Sequence, residues 1–246
     1  RALVAGQRGC AHALLTDLAI ATFSSSSTRK HMGPCLSVAW FDYQKAFDST
    51  PHLLMHYVLE KIGVSNNLRE WLKHVMKQWK TVIELKIEGR ARMSREIPFL
   101  KGIFQGDSLS PLLFCLSLLP IQHTIDRDCR GVEIPVQGQE LRITHQLYVD
   151  DLKISADSTK DLARSIDIVE SISQTCGMTL GRDKCSQAHW SPKSKVRSKA
   201  ISELKGAEHY TYLGIQQQDQ GSSTYDLWMS PIIIGQLSLN EQRQMA

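Results

Sequence analysis

The apolar positions of this chain follow two rhythms. From Ala11 to Phe23 they recur at helical spacing, which predicts a helix running into the polar stretch SSSSTRKHMGP, a loop. LSVAWFD, Leu36 to Asp42, is a continuous β-rich apolar run that ends in an acid and predicts a buried strand. STPHLLMHYVLEKIG predicts a helix, with Pro51 in its first turn, Ser49 or Thr50 as its cap and Gly63 as its stop. In NLREWLKHVMKQW, Leu68, Trp71, Leu72, Val75, Met76 and Trp79 repeat at three and four. That is the mark of an amphipathic helix, and its stripe belongs in a core.

Alternation then takes over. Ile83, Leu85 and Ile87 alternate, the chain turns near Gly89 and returns, so a β-hairpin is expected. Ser110 to Asp126 predicts one mostly buried helix, and GVEIPVQGQELRI a strand–turn–strand. LYVDDLKIS makes a tight hairpin. TKDLARSIDIVESISQTCG predicts a helix with Leu162, Ile166, Val169, Ile172 and Cys176 on one side and Gly177 at its end. Short strands are expected around MTLGRDKCSQAHW and HYTYLGI. Mixed strands and helices without an internal repeat or a clean linker predict the α+β class.

Composition narrows this only a little. At 246 residues the chain suffices for one large domain or two small ones, and 42% hydrophobic with 22% charged residues is ordinary for a globular protein. Lys+Arg total 29 against 25 Asp+Glu, a net charge of +4 that permits a polyanionic partner without demanding one. The basic run Lys193, Lys195, Arg197 and Lys199 could meet phosphates or form a solvated face. Six scattered cysteines without a C-x-x-C pair read as reduced thiols of an intracellular protein, in nucleus or cytoplasm. No signal peptide is evident, and the most apolar run, Ser110 to Ile121, is too short to span a bilayer, so no membrane partner is expected.

The chemistry lies in the acids. Asp150 and Asp151 sit side by side between two apolar strands, where like charges repel and unpaired burial is costly. A nearby Lys or Arg, solvent at an exposed turn, or a divalent cation would each relieve them. Asp42 ends another buried strand. If the two strands deliver all three carboxylates to one sheet edge, the set suits magnesium, and two ions about 4 Å apart can activate a hydroxyl and steady a leaving group.

Five motifs stand in order: WFDYQKAFDSTPH, GIFQGDSLSPLLFCL, YVDD, GMTLGRDK and YLGI. The series resembles the palm motifs of reverse transcriptases, and the longer phrases look most like the non-LTR (LINE-type) retrotransposon branch. GQRGC from Gly6 is similar to the segment before the first acidic motif there. The likeness runs from about Gly6 to Ile215. It implies a right-hand polymerase palm, an antiparallel sheet backed by helices, with partial fingers and the thumb absent or truncated. Its parts would be a fingers segment over 1–35, the palm over 36–215 with a fingers-side insertion around 64–100, and an atypical tail over 216–246.

The resemblance also implies roles. Asp42 and Asp150 would bridge two Mg2+ ions, for which Mn2+ could substitute, with Asp151 assisting. Phe47 would be a steric gate excluding a 2′-hydroxyl; by itself it reads as a core Phe. Gln105 and Gly106 would approach the nucleotide or template, Gly106 because glycine lets backbone come close. Ser110 and Pro111 would open a helix toward template and primer. Lys184 would act near the leaving pyrophosphate as general acid or neutralising charge, and alone it reads equally as a surface lysine. Tyr212, Leu213 and Gly214 would form the primer grip, though Tyr212 also suits a core. The implied partners are an RNA template, a DNA primer and deoxynucleoside triphosphates. RNA synthesis on the same palm, or a decayed retroelement piece that only folds or binds nucleic acid, are the alternatives.

Overall fold

The computed structural model describes residues 9–25, 36–87, 89–136, 139–190, 199–204, 208–213 and 215–218. Gly6, Gln7 and Arg8 of GQRGC, Lys193, Lys195, Arg197, Gly214 and most of the expected tail lie outside them. In chain order the elements are α1 (Gly9–Ser25), β1 (Leu36–Phe41), α2 (Ala46–Ser49), α3 (His52–Lys61), α4 (Asn66–Lys77), β2 (Lys80–Thr81), β3 (Glu84–Ile87), β4 (Arg90–Met93) and β5 (Ile97–Pro98). There follow α5 (Ser110–Ser117), α6 (Leu119–Asp128), β6 (Val132–Val136), β7 (Gln139–Ile143), β8 (His145–Tyr148), β9 (Asp151–Ala156), α7 (Thr159–Thr175), β10 (Ser186–Trp190), β11 (Ser202–Glu203), β12 (His209–Tyr212) and β13 (Ile215–Gln218). They form two units, one of residues 1–43, 122–172 and 180–246, the other of 44–121 and 173–179. Among the described residues no helix is long and apolar enough to cross a membrane.

The first unit is built on a five-stranded sheet in the order β11-β10-β1-β9-β8. Its pairs are antiparallel except β10 with β11. All six residues of the central β1 are buried, which is why LSVAWF is continuously apolar rather than alternating. On one face Leu36, Val38 and Trp40 join Ala188, Trp190, Val132, Leu204 and Tyr212 in a core that also takes Leu14 and Ile20 of α1. The alternate residues Ala39, Phe41, Leu152, Ile154 and Ala156 are buried too, and α7 carries a buried stripe of Leu162, Ile166 and Val169. Where β6 begins, Gly131 has φ +73°, and a Cβ there would stand 2.4 Å from the Ile143 carbonyl oxygen, so only glycine fits.

In the second unit α3 packs on α4 and α5. Met55, Val58 and Leu59 of α3, Leu72 and Met76 of α4, and Leu113 and Phe114 of α5 are buried there. Three expectations need correction. The single helix expected over Ser110 to Asp126 is two, α5 and α6, meeting at Leu118. Pro120 lacks an N–H and its ring opposes the preceding carbonyls, so it belongs in the first turn of a new helix. Pro51 is the cap residue of α3 rather than inside its first turn, and the Thr50 hydroxyl donates back to the Ala46 carbonyl at 2.8 Å instead of capping forward. The α4 stripe is only partly core: Leu72 and Met76 are buried, whereas Leu68 and Trp71 are 52% and 56% exposed. Likewise β3 and β4 pair as expected, yet all their residues are exposed. Periodicity sets the element, but not whether each face meets a partner.

Ile154 is fully buried in β9 and Leu141 is exposed in β7. Truncating Ile154 to Ala should cost about 2–5 kcal/mol in urea unfolding, through lost burial and a cavity. Leu141→Ala should stay within about 0.5 kcal/mol. Equal effects would contradict this assignment of the core.

Candidate active site

Ladder register decides where the acids go. In the antiparallel pair β1–β9, Trp40 faces Lys153 and Phe41 faces Leu152. The paired register ends there, and continued by one step it would set Asp42 opposite Asp151. Side chains alternate along a strand, so Asp42, two residues beyond Trp40, and Asp151, two before Lys153, share one face of the sheet. Asp150 lies in the two-residue turn Val149–Asp150, closed by the pair Tyr148–Asp151. Val149 has φ +57°. A β-branched residue rarely adopts that region, and holding it there costs on the order of 1–3 kcal/mol, supplied by the flanking strands.

The three carboxylates act on one another. Partial burial pushes Asp151 up from 3.8 to about 6, and the neighbouring Asp150 and Asp42 charges add to the rise. Burial raises Asp42 as well; Lys184 opposes this, while Asp150 and Asp183 reinforce it. The Lys184 ammonium lies 3.9 Å from an Asp42 carboxylate oxygen. It reaches that place from a turn docked on the same residue. The Gly181 N–H donates to the Asp42 carbonyl at 2.8 Å, and the Lys184 N–H to the Gly181 carbonyl at 2.8 Å. Beneath them the Asp42 N–H points at the buried Cys185 sulfur at 3.5 Å. Tyr210 stacks on Trp40 with centroids 5.1 Å apart. Burial, helped by the Asp151 and Asp42 charges, raises its phenol, so the hydroxyl keeps its proton beside the acids.

These oxygen donors suit a hard divalent cation. Their mutual repulsion, which adds to the effect of burial on Asp151 and Asp42, is what such a cation would relieve. Among the described residues no three metal-ligating side chains are already gathered closely enough to hold one. The set fits a divalent metal in the chemistry of its donors, and Asp42, Asp150 and Asp151 would be the residues to hold it. Of the three ways to relieve the adjacent acids left open by the sequence, Asp150 and Asp151 use partial exposure, while the Lys184 ammonium stands beside Asp42 instead.

Asp183, Cys185 and Tyr210 were not singled out from the sequence. Tyr210 did leave a signal, since it and Tyr212 alternate in HYTYLGI and so share a face of β12. Tyr212 is 1% exposed and belongs to the core, so its ring is not presented at the surface. Leu213 forms the turn with φ +49°.

The remaining residues lie in the second unit. The Phe47 ring stacks on Phe114 at 4.7 Å, leaving it half-buried rather than enclosed. Gln105 and Gly106 are exposed, and Gly106 has φ +93°, a conformation that favours glycine. The loop before them is stitched to α2. The Ile103 N–H donates to the Phe47 carbonyl at 3.0 Å and the Gly102 N–H to the Thr50 carbonyl at 2.8 Å. Ser110 opens α5 with Pro111 in the first turn, as expected, but its side chain is fully buried and faces protein.

The family model described as reverse transcriptase (RNA-dependent DNA polymerase) matches residues 10–217. Among curated proteins, the Pol polyprotein of an R2 retrotransposable element from Popillia japonica is 27% identical over 210 residues, covering 78% of this chain and 32% of that protein. The corresponding polyprotein of R2DM from Drosophila melanogaster is 27% identical over 220 residues, covering 84% and 19%. This chain thus spans about a third or less of their length. Among solved structures, a Candida tropicalis telomerase in complex with a fragment of telomeric RNA aligns with TM-score 0.56 at 16% identity, covering 96% of this chain and 34% of that one. The apo C. tropicalis enzyme truncated from its C-terminal domain aligns at TM-score 0.52 and 16% identity, covering 87% and 40%. These two share the fold, the antiparallel palm expected from the motifs. With the acidic sheet end and the family match in agreement, the chain belongs to the reverse transcriptase family, as a domain of the non-LTR retrotransposon type.

Proposed function

We propose that this chain is the catalytic palm of an RNA-directed DNA polymerase, acting with Mg2+ on an RNA template, a DNA primer and deoxynucleoside triphosphates. The observation that carries the reading is the juxtaposition of Asp42 and Asp151 across β1 and β9, with Asp150 in the adjoining turn. Asp42 and Asp150 are the principal ligands and Asp151 assists. Two bound ions supply positive charge that lowers the barrier to attack of the primer 3′-hydroxyl on the α-phosphorus and steadies the departing pyrophosphate. Mn2+ would serve in place of Mg2+.

The protein groups do the positioning. Lys184, held next to Asp42 by the Gly181 turn, carries an ammonium that exchanges its carboxylate partner for the leaving pyrophosphate, giving it charge neutralisation or a proton. Phe47, braced by Phe114, presents the ring edge that a 2′-hydroxyl would strike, and so selects deoxynucleotides. Gln105 and Gly106 give the nucleotide or template an exposed amide and a closely approachable backbone. Leu213, in the turn after β12, meets the primer, and the motif assigns Gly214 to the same role.

Primer extension on an RNA template tests this. Asp42→Asn and Asp150→Asn should each lower extension at least about a hundredfold, because both remove charge placed for the transition state, and chelation should abolish it reversibly. Extension by Asp150→Asn at the parent rate would remove the metal assignment. Phe47→Ala should raise ribonucleotide incorporation relative to deoxynucleotide. If the parent already prefers ribonucleotides, the enzyme is an RNA polymerase on the same palm.

Asp151 adds a pH test. Its folded-state value of about 6 lies above the ordinary 3.8, so the folded chain binds the extra proton between those values. The metal-free protein therefore loses stability as pH rises from about 4 to about 6. Asp151→Asn, which carries no charge, should melt higher than the parent at pH 7, and its advantage should shrink toward pH 4. A constant difference across that range would contradict the origin assigned to the shift.

A further inference from the structure

Lys153 is two residues from Asp151 in LKIS, where alternation alone suggests nothing more than a polar position. In the fold it is fully buried. Its ammonium forms an ion pair with Asp17 of α1 and donates to the Gln217 side-chain oxygen of β13 at 2.9 Å. The Gln217 amide nitrogen donates to the other Asp17 oxygen at 2.6 Å, and the Trp40 indole N–H donates to the same Gln217 oxygen at 2.9 Å. The ammonium also stands over the Trp40 and Tyr212 rings, 5.3 and 5.4 Å from their centroids. Gln146, the ladder partner of Lys153 on β8, adds a hydrogen bond to the Ala13 carbonyl of α1 at 2.6 Å.

A fully buried ion pair is an expensive way to hold a fold together. Desolvating two charges costs several kcal/mol per ion, and well-packed apolar residues of similar size often stabilise as well or better. What such a pair does supply is registry, because its geometry is satisfied in one arrangement only. The element that needs registry here is β12–β13. Among the described residues it is a separate two-stranded sheet, with no ladder hydrogen bonds to the five-stranded sheet. Its place over β1 and β9 is set by side chains: the Tyr210–Trp40 stack, and Gln217, the ladder partner of Tyr210, inside the charged network. The network thus joins the strand carrying Asp151, the strand that leads into Asp42, the helix α1 and the hairpin whose turn holds Leu213.

We infer that Lys153, with Asp17 and Gln217, is a positioning device that fixes the β12–β13 hairpin at one height over the acidic sheet end and so sets where the primer strand lies. This rests on the polymerase reading for its link to primer. Lys153 acts through the hairpin and touches no reacting atom.

The test uses the full chain and two variants. In Lys153→Met/Asp17→Leu an apolar pair replaces the ionic one, and Gln217→Leu cuts the hairpin from a pair left intact. Hydrogen exchange of the β12–β13 amides is measured beside the KM for primer and kcat on an RNA template. Both variants should exchange faster in the hairpin while β1 and β9 keep their protection. Each should raise the KM for primer about tenfold, more than it lowers kcat, since a shift of about 1 Å in a positioning element carries losses of this order or larger. Parent-like hairpin exchange in both variants overturns the inference, and so does a loosened hairpin with an unchanged KM. If the double variant does not fold, Gln217→Leu decides by the same two readouts. If the parent extends no primer, the polymerase reading fails, and hairpin exchange still decides whether the network holds the hairpin.

Discussion

The antiparallel register of β1 and β9 is the constraint on which the rest of the structure depends. Backbone hydrogen bonds set Trp40 against Lys153 and Phe41 against Leu152, and just beyond that last pair stand Asp42 and Asp151, near enough for the Asp42 charge to act on Asp151. Like charges directly opposite on a sheet are destabilising. Here they are also partly buried, next to a turn that forces a valine to positive φ. A sheet under selection for stability alone would not end this way. The cost is met by the fully buried strands behind the acids and by the Lys184 ammonium beside Asp42.

The same face of the sheet carries a second, opposite solution to buried charge. Two ladder steps behind Asp42 and Asp151, Lys153 is paired with Asp17 of α1 and hydrogen-bonded within a network that includes Gln217 and Trp40. The deep pair is satisfied and specifies an arrangement. The outer carboxylates repel one another, with only the Lys184 ammonium beside Asp42 to offset them among the described residues. Neighbouring positions on one face of the sheet thus separate rigidity from reactivity, a division expected where a site must be held still by groups that do not react.

Much of this was legible in the chain. LSVAWFD announces a strand covered on both faces, and YVDD between apolar runs announces the hairpin. What the sequence hides is partnership across distance. Lys153 meets Asp17 over 136 residues and Asp17 meets Gln217 over 200, separations at which no periodicity speaks. For the same reason Tyr212 passed as a primer contact although its ring belongs to the core, and Leu68 and Trp71 of α4 continue an apolar stripe that the fold leaves exposed. Pro120, by contrast, was in plain view, and its missing N–H explains the two helices where one was expected.

The central claim is that three carboxylates from two strands form one cation site. Mn2+ titrated into the full chain and followed by electron paramagnetic resonance measures that site without any need for turnover. The account predicts that the parent binds Mn2+, that Mg2+ competes for it, and that Asp42→Asn weakens binding as Asp150→Asn does, although these residues follow different strands. Parent-like Mn2+ affinity in Asp42→Asn would show that the two strands do not share a metal.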